Sequence, residues 1–366
     1  MLIRKISLKN FRNFKEESFN FSEKATVIVG ANASGKTNVM EALFLLSTGK
    51  SFHARIEEEM VSYDEEIARV KGSIIEDIEG KRSGTNLEVV LTRGEITIGI
   101  SPEMYGKSLP AGRQAARKKL LINGVAKRLI DFAGRFRTVL FGPWDMGLVT
   151  DAPSVRRRFL DTVLSQVDKE YRRALLSYEK GLRQRNRLLL RIREEGVSRS
   201  QLLFWNKLLI KNGDYISKKR EEFIEFINTN SQLLTTNYQL EYDKSAISEA
   251  RLEQYKEEEV AAASTLVGPH RDDVQFKIQN SKFKILRDLS RYGSRGEQRM
   301  GVLWLKMAEL AFIEKVTDEK PVLLLDDIFS ELDHEHREVV FEVAKGQQTI
   351  ITTADPHYIE KFKSVT

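Results

Sequence analysis

Gly30-Ala31-Asn32-Ala33-Ser34-Gly35-Lys36-Thr37 matches G-x-x-x-x-G-K-[ST] and decides the fold class. It follows Ala25–Val29, a short apolar run expected to be a central strand. It precedes Val39, Met40, Leu43, Phe44 and Leu46, which fall at helical spacing. That strand–loop–helix setting is what the pattern needs. Successive backbone N–H groups make an anion nest there, and the N-terminus of the following helix adds a positive dipole. Gly30 and Gly35 permit backbone geometry that a Cβ would obstruct. Lys36 is placed to reach the β- and γ-phosphates of ATP, and the Thr37 hydroxyl to ligate Mg²⁺. The expected nucleotide contacts are Gly30, Ala31, Asn32, Ala33, Ser34, Gly35, Lys36, Thr37 and Asn38.

Far downstream, Val322-Leu323-Leu324-Leu325-Asp326-Asp327 reads as a buried strand ending in two acids. Asp326 is placed to hold Mg²⁺ and Asp327 to orient or activate the attacking water, with Lys36 completing the catalytic set. Two acids at a strand end can also simply satisfy a turn; their pairing with a phosphate loop favours the chemical role. Before them, Gly293-Ser294-Arg295-Gly296-Glu297-Gln298-Arg299 runs into a helical pattern over Met300–Val316. A Ser-x-Gly loop at a helix N-terminus offers a hydroxyl, amides and a dipole to a phosphate. Ser294, Arg295, Gly296 and Glu297 are therefore candidate nucleotide contacts.

Alone, that loop is a weak signal. With the acidic strand, Ser330-Glu331-Leu332-Asp333 and a last strand over Gln347–Thr352, the order resembles that of ABC ATPases. The resemblance implies an α/β, ABC-type P-loop head, a mixed sheet plus helices, with an inserted α-helical lobe and no long coiled coil. It also implies that the signature loop of one subunit caps the nucleotide held by the other. One of each per chain then makes half of an ATP-dependent homodimer. Thr352 or Thr353 stands where transporter cassettes carry a switch histidine.

The flanking sequence fits two lobes. Ile6 and Leu8 alternate with Lys5, Ser7 and Lys9, and strand-like stretches follow at 69–75, 87–92 and 96–100. From Pro153 to about Asn230 the chain is almost all helix former, with Phe159, Leu160, Val163, Leu164 and Val167 at helical spacing. Alternation returns at Val274, Phe276 and Ile278. The expected division is an ATPase lobe at 1–150 and 265–366, with a mainly helical, basic lobe at 151–264. Lys107–Arg117 reads as a mobile insert or, alternatively, a basic DNA finger. The absence of cysteine excludes disulfides, thiol catalysis and Cys-ligated zinc. A charged N-terminus and the lack of any apolar run of ~18 residues point to a cytoplasmic protein without a membrane span.

Charge clusters in the helical lobe. Between Ser154 and Arg193 twelve basic residues face four acids, a net of +8, against +6 for the whole chain. Such a stripe binds phosphates without reading bases, although a solvated face with local ion pairs is the plainer alternative. Arg156, Arg157, Arg172, Arg183, Arg185 and Arg187 are the candidate DNA contacts. Arg156, Arg157 and Arg158 point in different directions on a helix, so they cannot all share one surface.

Three further segments narrow the resemblance. They are Leu8-Lys9-Asn10-Phe11-Arg12-Asn13-Phe14, Pro153 to Asp161 with its Arg156-Arg157-Arg158-Phe159-Leu160-Asp161, and Gly268-Pro269-His270-Arg271-Asp272-Asp273. With Arg183-Gln184-Arg185-Asn186 and Asp326 to Asp333, they closely resemble the bacterial RecF family of SMC-like recombination mediators. The resemblance covers nearly the whole chain. It implies ATP-dependent dimerisation on double-stranded DNA near single-strand gaps, slow DNA-stimulated ATP hydrolysis, cooperation with RecO and RecR, and, through them, RecA loading at the nucleoid. Two positions depart from the pattern: Glu297 stands where Gln is usual, and His53 where Arg is usual, with Arg55 nearby. Competing readings are a transport-coupled ATPase subunit and a scaffold with structural nucleotide. His270 and its neighbours read as hydrogen-bonding residues of the lobe junction rather than a metal site.

Overall fold

The computed structural model describes residues 1–78, 81–93, 118–229, 237–279, 285–330, 332 and 334–357. The expected strand at 96–100, the Lys107–Arg117 segment, Glu331 and Asp333 lie outside them. By internal packing the chain forms two compact units, Met1–Pro143 with Thr317–Thr366, and Trp144–Val316.

The first unit opens with β1 (Leu2–Phe11), β2 (Phe14–Asn20), β3 (Ala25–Val29), α1 (Lys36–Thr48), β4 (Ile67–Ile78), β5 (Lys81–Thr92), β6 (Lys118–Ile122), β7 (Val125–Lys127), α2 (Leu129–Phe132) and β8 (Thr138–Phe141). The second holds α3 (Gly147–Thr150), α4 (Pro153–Val167), α5 (Lys169–Glu195), α6 (Leu202–Thr229), β9 (Tyr238–Asp243), α7 (Glu249–Gln254), α8 (Lys256–Ala262), β10 (Asp273–Gln279), β11 (Leu286–Asp288), α9 (Leu289–Tyr292) and α10 (Arg295–Thr317). The chain then returns to the first unit with β12 (Val322–Asp326), α11 (His334–Lys345) and β13 (Thr349–Thr353).

Two sheets build the first unit. One is antiparallel, in the order β2-β1-β4-β5-β6-β7; the other is parallel, in the order β3-β13-β12-β8. The alternation in β1 buries Ile6 and Leu8 and leaves Lys5 and Lys9 exposed, as a one-sided strand requires. α1 packs on both sheets, and its Val39, Met40, Leu43 and Leu46 join one core with Ile3, Val70, Leu324 and Ile350. The expectation that Ala25–Val29 is central is corrected. Among the described strands β3 ends its sheet and is only half-buried, whereas β12 and β13 occupy the middle and are buried throughout. A five-residue apolar run shows that a strand is covered but not which strands flank it.

In the second unit α5 and α6 pack together and a three-stranded antiparallel sheet runs β11-β10-β9. α5 buries Tyr171, Ala174, Tyr178, Gly181, Arg185, Leu189 and Ile192, a stripe at intervals of three and four residues. The Asp168 side chain caps its start by accepting from the Tyr171 N–H, and left-handed Gly196 ends it.

Candidate functional site

The phosphate loop leaves β3 at Gly30, whose N–H donates to the Thr353 carbonyl at 3.3 Å, and Ser34 N–H closes a turn on Ala31 O at 3.2 Å. Gly35 is left-handed, with φ 103°. The dihedral angle favours glycine, and a Cβ there would come within 2.7 Å of Asn13 Nδ2 and 2.8 Å of Phe14 Cζ, displacing those side-chain ends. Gly35 supplies no side-chain cap to α1. The first-turn N–H groups, beginning with Lys36 and Thr37, have no intrahelical acceptor and are the donors of the nest. Lys36 is 9% exposed, and its Nζ lies 2.8 Å from Gly30 O and 2.9 Å from Ala31 O. The ammonium is thus held over the loop where phosphate oxygens would be received.

Three residues that carry no expectation from their local sequence brace this loop. Asn13 Nδ2 donates to Ser34 O at 3.3 Å, and its Oδ1 accepts from Asn38 Nδ2 at 2.8 Å. Arg12 grips Glu41 with two bonds of 2.7 Å and donates to Glu59 O at 2.7 Å. Glu41 is 1% exposed, and a buried carboxylate of this kind needs its guanidinium. The Asn-Phe-Arg-Asn-Phe segment therefore ties the β1–β2 turn to the loop and to α1.

β13 lies between β3 and β12, so it connects the loop to the acids. Thr353 accepts from Gly30, while the buried Thr352 hydroxyl donates to Asp326 Oδ1. Asp326 is 2% exposed. Asp327 follows in the left-handed region, φ 49°, with its N–H on Thr352 O at 3.0 Å. Ligands of open parallel sheets gather at this carboxyl edge. Among the described residues no group of three or more His, Asp or Glu is placed to hold a metal ion. Thr37 and Asp326 instead suit Mg²⁺ bound jointly with phosphates and water.

In the second unit Ser294 precedes α10 and forms a reciprocal cap with Glu297. The Ser294 N–H donates to Glu297 Oε2 at 2.7 Å, and the Glu297 N–H donates to Ser294 Oγ at 3.3 Å. The carboxylate that replaces Gln is therefore turned back on its own helix start. Gln298 Nε2 ties the turn to the Leu289, Ser290 and Gly293 carbonyls at 3.3 Å each. Tyr238 donates to Glu297 O at 3.0 Å. Burial, with the Glu297 charge adding to it, pushes the Tyr238 phenol up to about 12, so it stays a donor at neutral pH.

The arginines separate into two groups. Arg156 makes a pair with Asp273, its Nε 2.8 Å from Oδ1, and Arg157 donates to Asp272 O at 2.7 Å. The Arg-Arg-Arg-Phe and Pro-His-Arg-Asp-Asp segments are thus each other's structural partners. Arg220 donates to Asp272 Oδ2 and to Asp161 Oδ1, both at 2.8 Å, within the same buried network. Arg185 is 2% exposed and bonded to Asn206, Thr265 and Glu259 at 2.8, 2.8 and 2.6 Å. Its assignment to DNA is corrected: a helix-face position that looked like part of a basic stripe points into the core, where Glu259 neutralises it. Arg156 and Arg157 are half-buried and committed to the Asp272–Asp273 turn, and half-buried Arg172 donates to Ser165 O. Arg183 and Arg187 are exposed. With exposed Lys180 and Arg191 they lie three and four residues apart on the α5 face opposite the buried stripe.

His270 accepts from the Tyr178 hydroxyl at Nδ1, 2.8 Å away, and donates from Nε2 to Thr265 O at 3.0 Å, the tautomer that satisfies both. Burial, against the bond to Thr265 and helped by the nearby Arg271, Arg157 and Arg185, lowers it to about 4. It is a neutral structural histidine.

An uncapped helix start behind a G-x-x-x-x-G-K-T loop, joined across one strand to a buried aspartate, defines the nucleotide-binding head of an ABC/SMC-type ATPase. The family model described as the RecF/RecN/SMC N terminal domain matches residues 2–366. The DNA replication and repair protein RecF of Thermomicrobium roseum is 35% identical over 98% of this chain and 95% of its own length. That of Herpetosiphon aurantiacus is 34% identical over 97% and 94%. A solved structure of the recombination mediator protein RecF with ATP, described as part of the RecFOR pathway, superposes with a TM-score of 0.82 at 31% identity, covering 97% of this chain and 92% of that one. This chain belongs to the RecF family.

Proposed function

We propose that the protein is an ATP-dependent DNA-binding protein of recombinational gap repair and replication maintenance. The observation that carries this reading is the connection of the loop to Asp326 through Thr352 and Thr353. A RecF relative has been solved with ATP, which supports ATP as the ligand. Gly30 to Asn38 cradle the triphosphate, Lys36 neutralises its β- and γ-oxygens, and Thr37 with Asp326 hold Mg²⁺, which would shield the phosphate charge. Asp327 orients the attacking water. A hydrolysis that is slow and stimulated by DNA resets the cycle.

The Ser294–Glu297 loop receives the γ-phosphate of the nucleotide on a second copy, so ATP binding and dimerisation are linked. The dimer clamps double-stranded DNA beside a single-strand gap. Arg183 and Arg187, joined by Lys180 and Arg191, meet the backbone without reading sequence. RecR and RecO are the proposed partners, with RecA loading as the outcome. Among the described residues no helix is long and apolar enough to cross a membrane. Family membership also runs against the transport-coupled reading.

Solution mass by light scattering, with Mg-ATP and with ADP, tests the sandwich. Asp327→Asn slows hydrolysis during the run. The expected result is a monomer in ADP and a dimer in ATP, with Ser294→Arg binding ATP but staying monomeric. A Ser294→Arg chain that dimerises normally would overturn the composite site.

A further inference from the structure

The second unit has an open cleft of about 790 Å³ that the proposed ATPase cycle does not use. Lys277 of β10, Leu286, Arg287 and Asp288 of β11, and Arg291 and Tyr292 of α9 line it. Two of its three cations, Arg287 and Arg291, form no ion pair among the described residues. Lys277 pairs with Glu241 at 3.1 Å and donates to Gln275 at 2.8 Å. The Asp288 carboxylate is engaged as the cap of α9, taking the Ser290 N–H at 2.9 Å and the Ser290 hydroxyl at 2.6 Å. Arg287 and Arg291 are exposed and have no ion-pair partner among the described residues. Beside them Tyr292 is 68% exposed and Leu286 47%.

Arg287 and Arg291 line the same cleft, where the Asp288 charge offsets one of theirs, and a bound anion would balance the other. Planar guanidinium forks match phosphate oxygens in two-bond geometry. An exposed tyrosine next to them offers a stacking face to any base. We propose that this cleft binds a phosphate-bearing nucleotide unit, with its phosphate between Arg287 and Arg291 and its base on Tyr292, Leu286 covering one edge. The unit is either a residue of a single DNA strand or a free nucleotide, since both present the same chemistry. Its residues belong neither to the phosphate loop nor to α5.

The test uses the full chain with Lys36→Ala to silence the phosphate loop and Lys180→Glu, Arg183→Glu and Arg187→Glu to discharge α5. Fluorescence anisotropy is read with labelled oligo(dT) and, separately, with a fluorescent ATP analogue. Saturable binding of at least one probe is expected. Arg287→Glu with Arg291→Glu should weaken it at least about tenfold, and Tyr292→Ala about fivefold. Binding of oligo(dT) alone assigns the strand, and binding of the analogue assigns the free nucleotide. The milder Arg287→Gln with Arg291→Gln, checked by an unchanged thermal melt, separates loss of the site from loss of fold. If neither probe binds, or if binding survives both arginine pairs in folded protein, the proposal is wrong.

Discussion

The loop at residues 30–37 is shaped by its backbone, whereas the arginine-rich stretch at 154–193 is fixed by side chains whose partners are remote. Arg156 finds Asp273 at a separation of 117 residues, and Arg185 finds Glu259 at 74. In the loop, residue type and geometry are nearly the same thing: glycine allows the turn, and the first-turn amides of α1 are left without an intrahelical acceptor. Along α5 the same residue type has opposite uses two positions apart. Arg185 is a core residue and Arg183 a surface cation. A basic segment is therefore not one functional element, and its net charge overstates what DNA can meet.

The sharpest way to break this contrast is to truncate the two neighbours. Arg185→Ala leaves Glu259 buried without its partner and should cost about 3–5 kcal/mol in urea unfolding. Arg183→Ala should change stability by no more than about 0.5 kcal/mol. Equal losses would erase the distinction. On the loop side, Lys36→Ala should weaken ATP binding by titration calorimetry at least about 100-fold, near 2.7 kcal/mol, with the fold retained. Retained affinity would mean that the amides alone suffice.

A third expectation concerns the network that fixes Arg156 and Arg157. His270 is lowered to about 4 in the folded state, below the usual 6.5. The unfolded chain takes up this proton first, so stability is complete above about pH 6.5 and declines as pH falls toward 4. The decline should be on the order of 2 kcal/mol in urea midpoints, and His270→Gln should flatten it. A slope unchanged by that substitution would place the titrating group elsewhere. The smallest effect belongs to Glu297→Gln. It should alter stability by less than about 1 kcal/mol, because an amide can still accept from the Ser294 N–H. It should raise the ATP-dependent dimer affinity several-fold by removing a carboxylate from the phosphate's neighbourhood. Sedimentation at graded protein concentrations checks it, and a weaker dimer would show that the carboxylate helps.

Most of the geometry of the candidate nucleotide site was legible because its signals are local. The strand run, the spaced glycines, the lysine and the helix pattern lie within a short stretch, and the structure places Gly30 to Asn38 as one loop and helix start. The Ser294–Glu297 cap carried a local signal that went unused: Ser-x-x-Glu before a helix is a capping signature, yet the segment is read from sequence only as a phosphate contact. Other features left no local mark. Asn13 reaches Ser34 and Asn38 only once β1 and β2 turn back, and Glu41 looks like an ordinary helix-surface acid until Arg12 is brought to it. Thr138–Phe141 is only four residues long, too short for its pattern to distinguish a strand. The arginines misled because helical periodicity assigns faces only when one face is already known to be buried, and Arg185 sits on the buried one.

The most direct measurement is duplex-DNA affinity as a function of salt, with ATP and with ADP, for the unaltered chain and for Lys180→Glu/Arg183→Glu/Arg187→Glu. Binding is predicted to be tighter in ATP. In the triple variant the slope of log affinity against log salt should be shallower by about 0.9 for each phosphate no longer neutralised, near 3 in all. An affinity indifferent to nucleotide, with a slope untouched by discharging the α5 face, would contradict an ATP-closed clamp that grips DNA through that face.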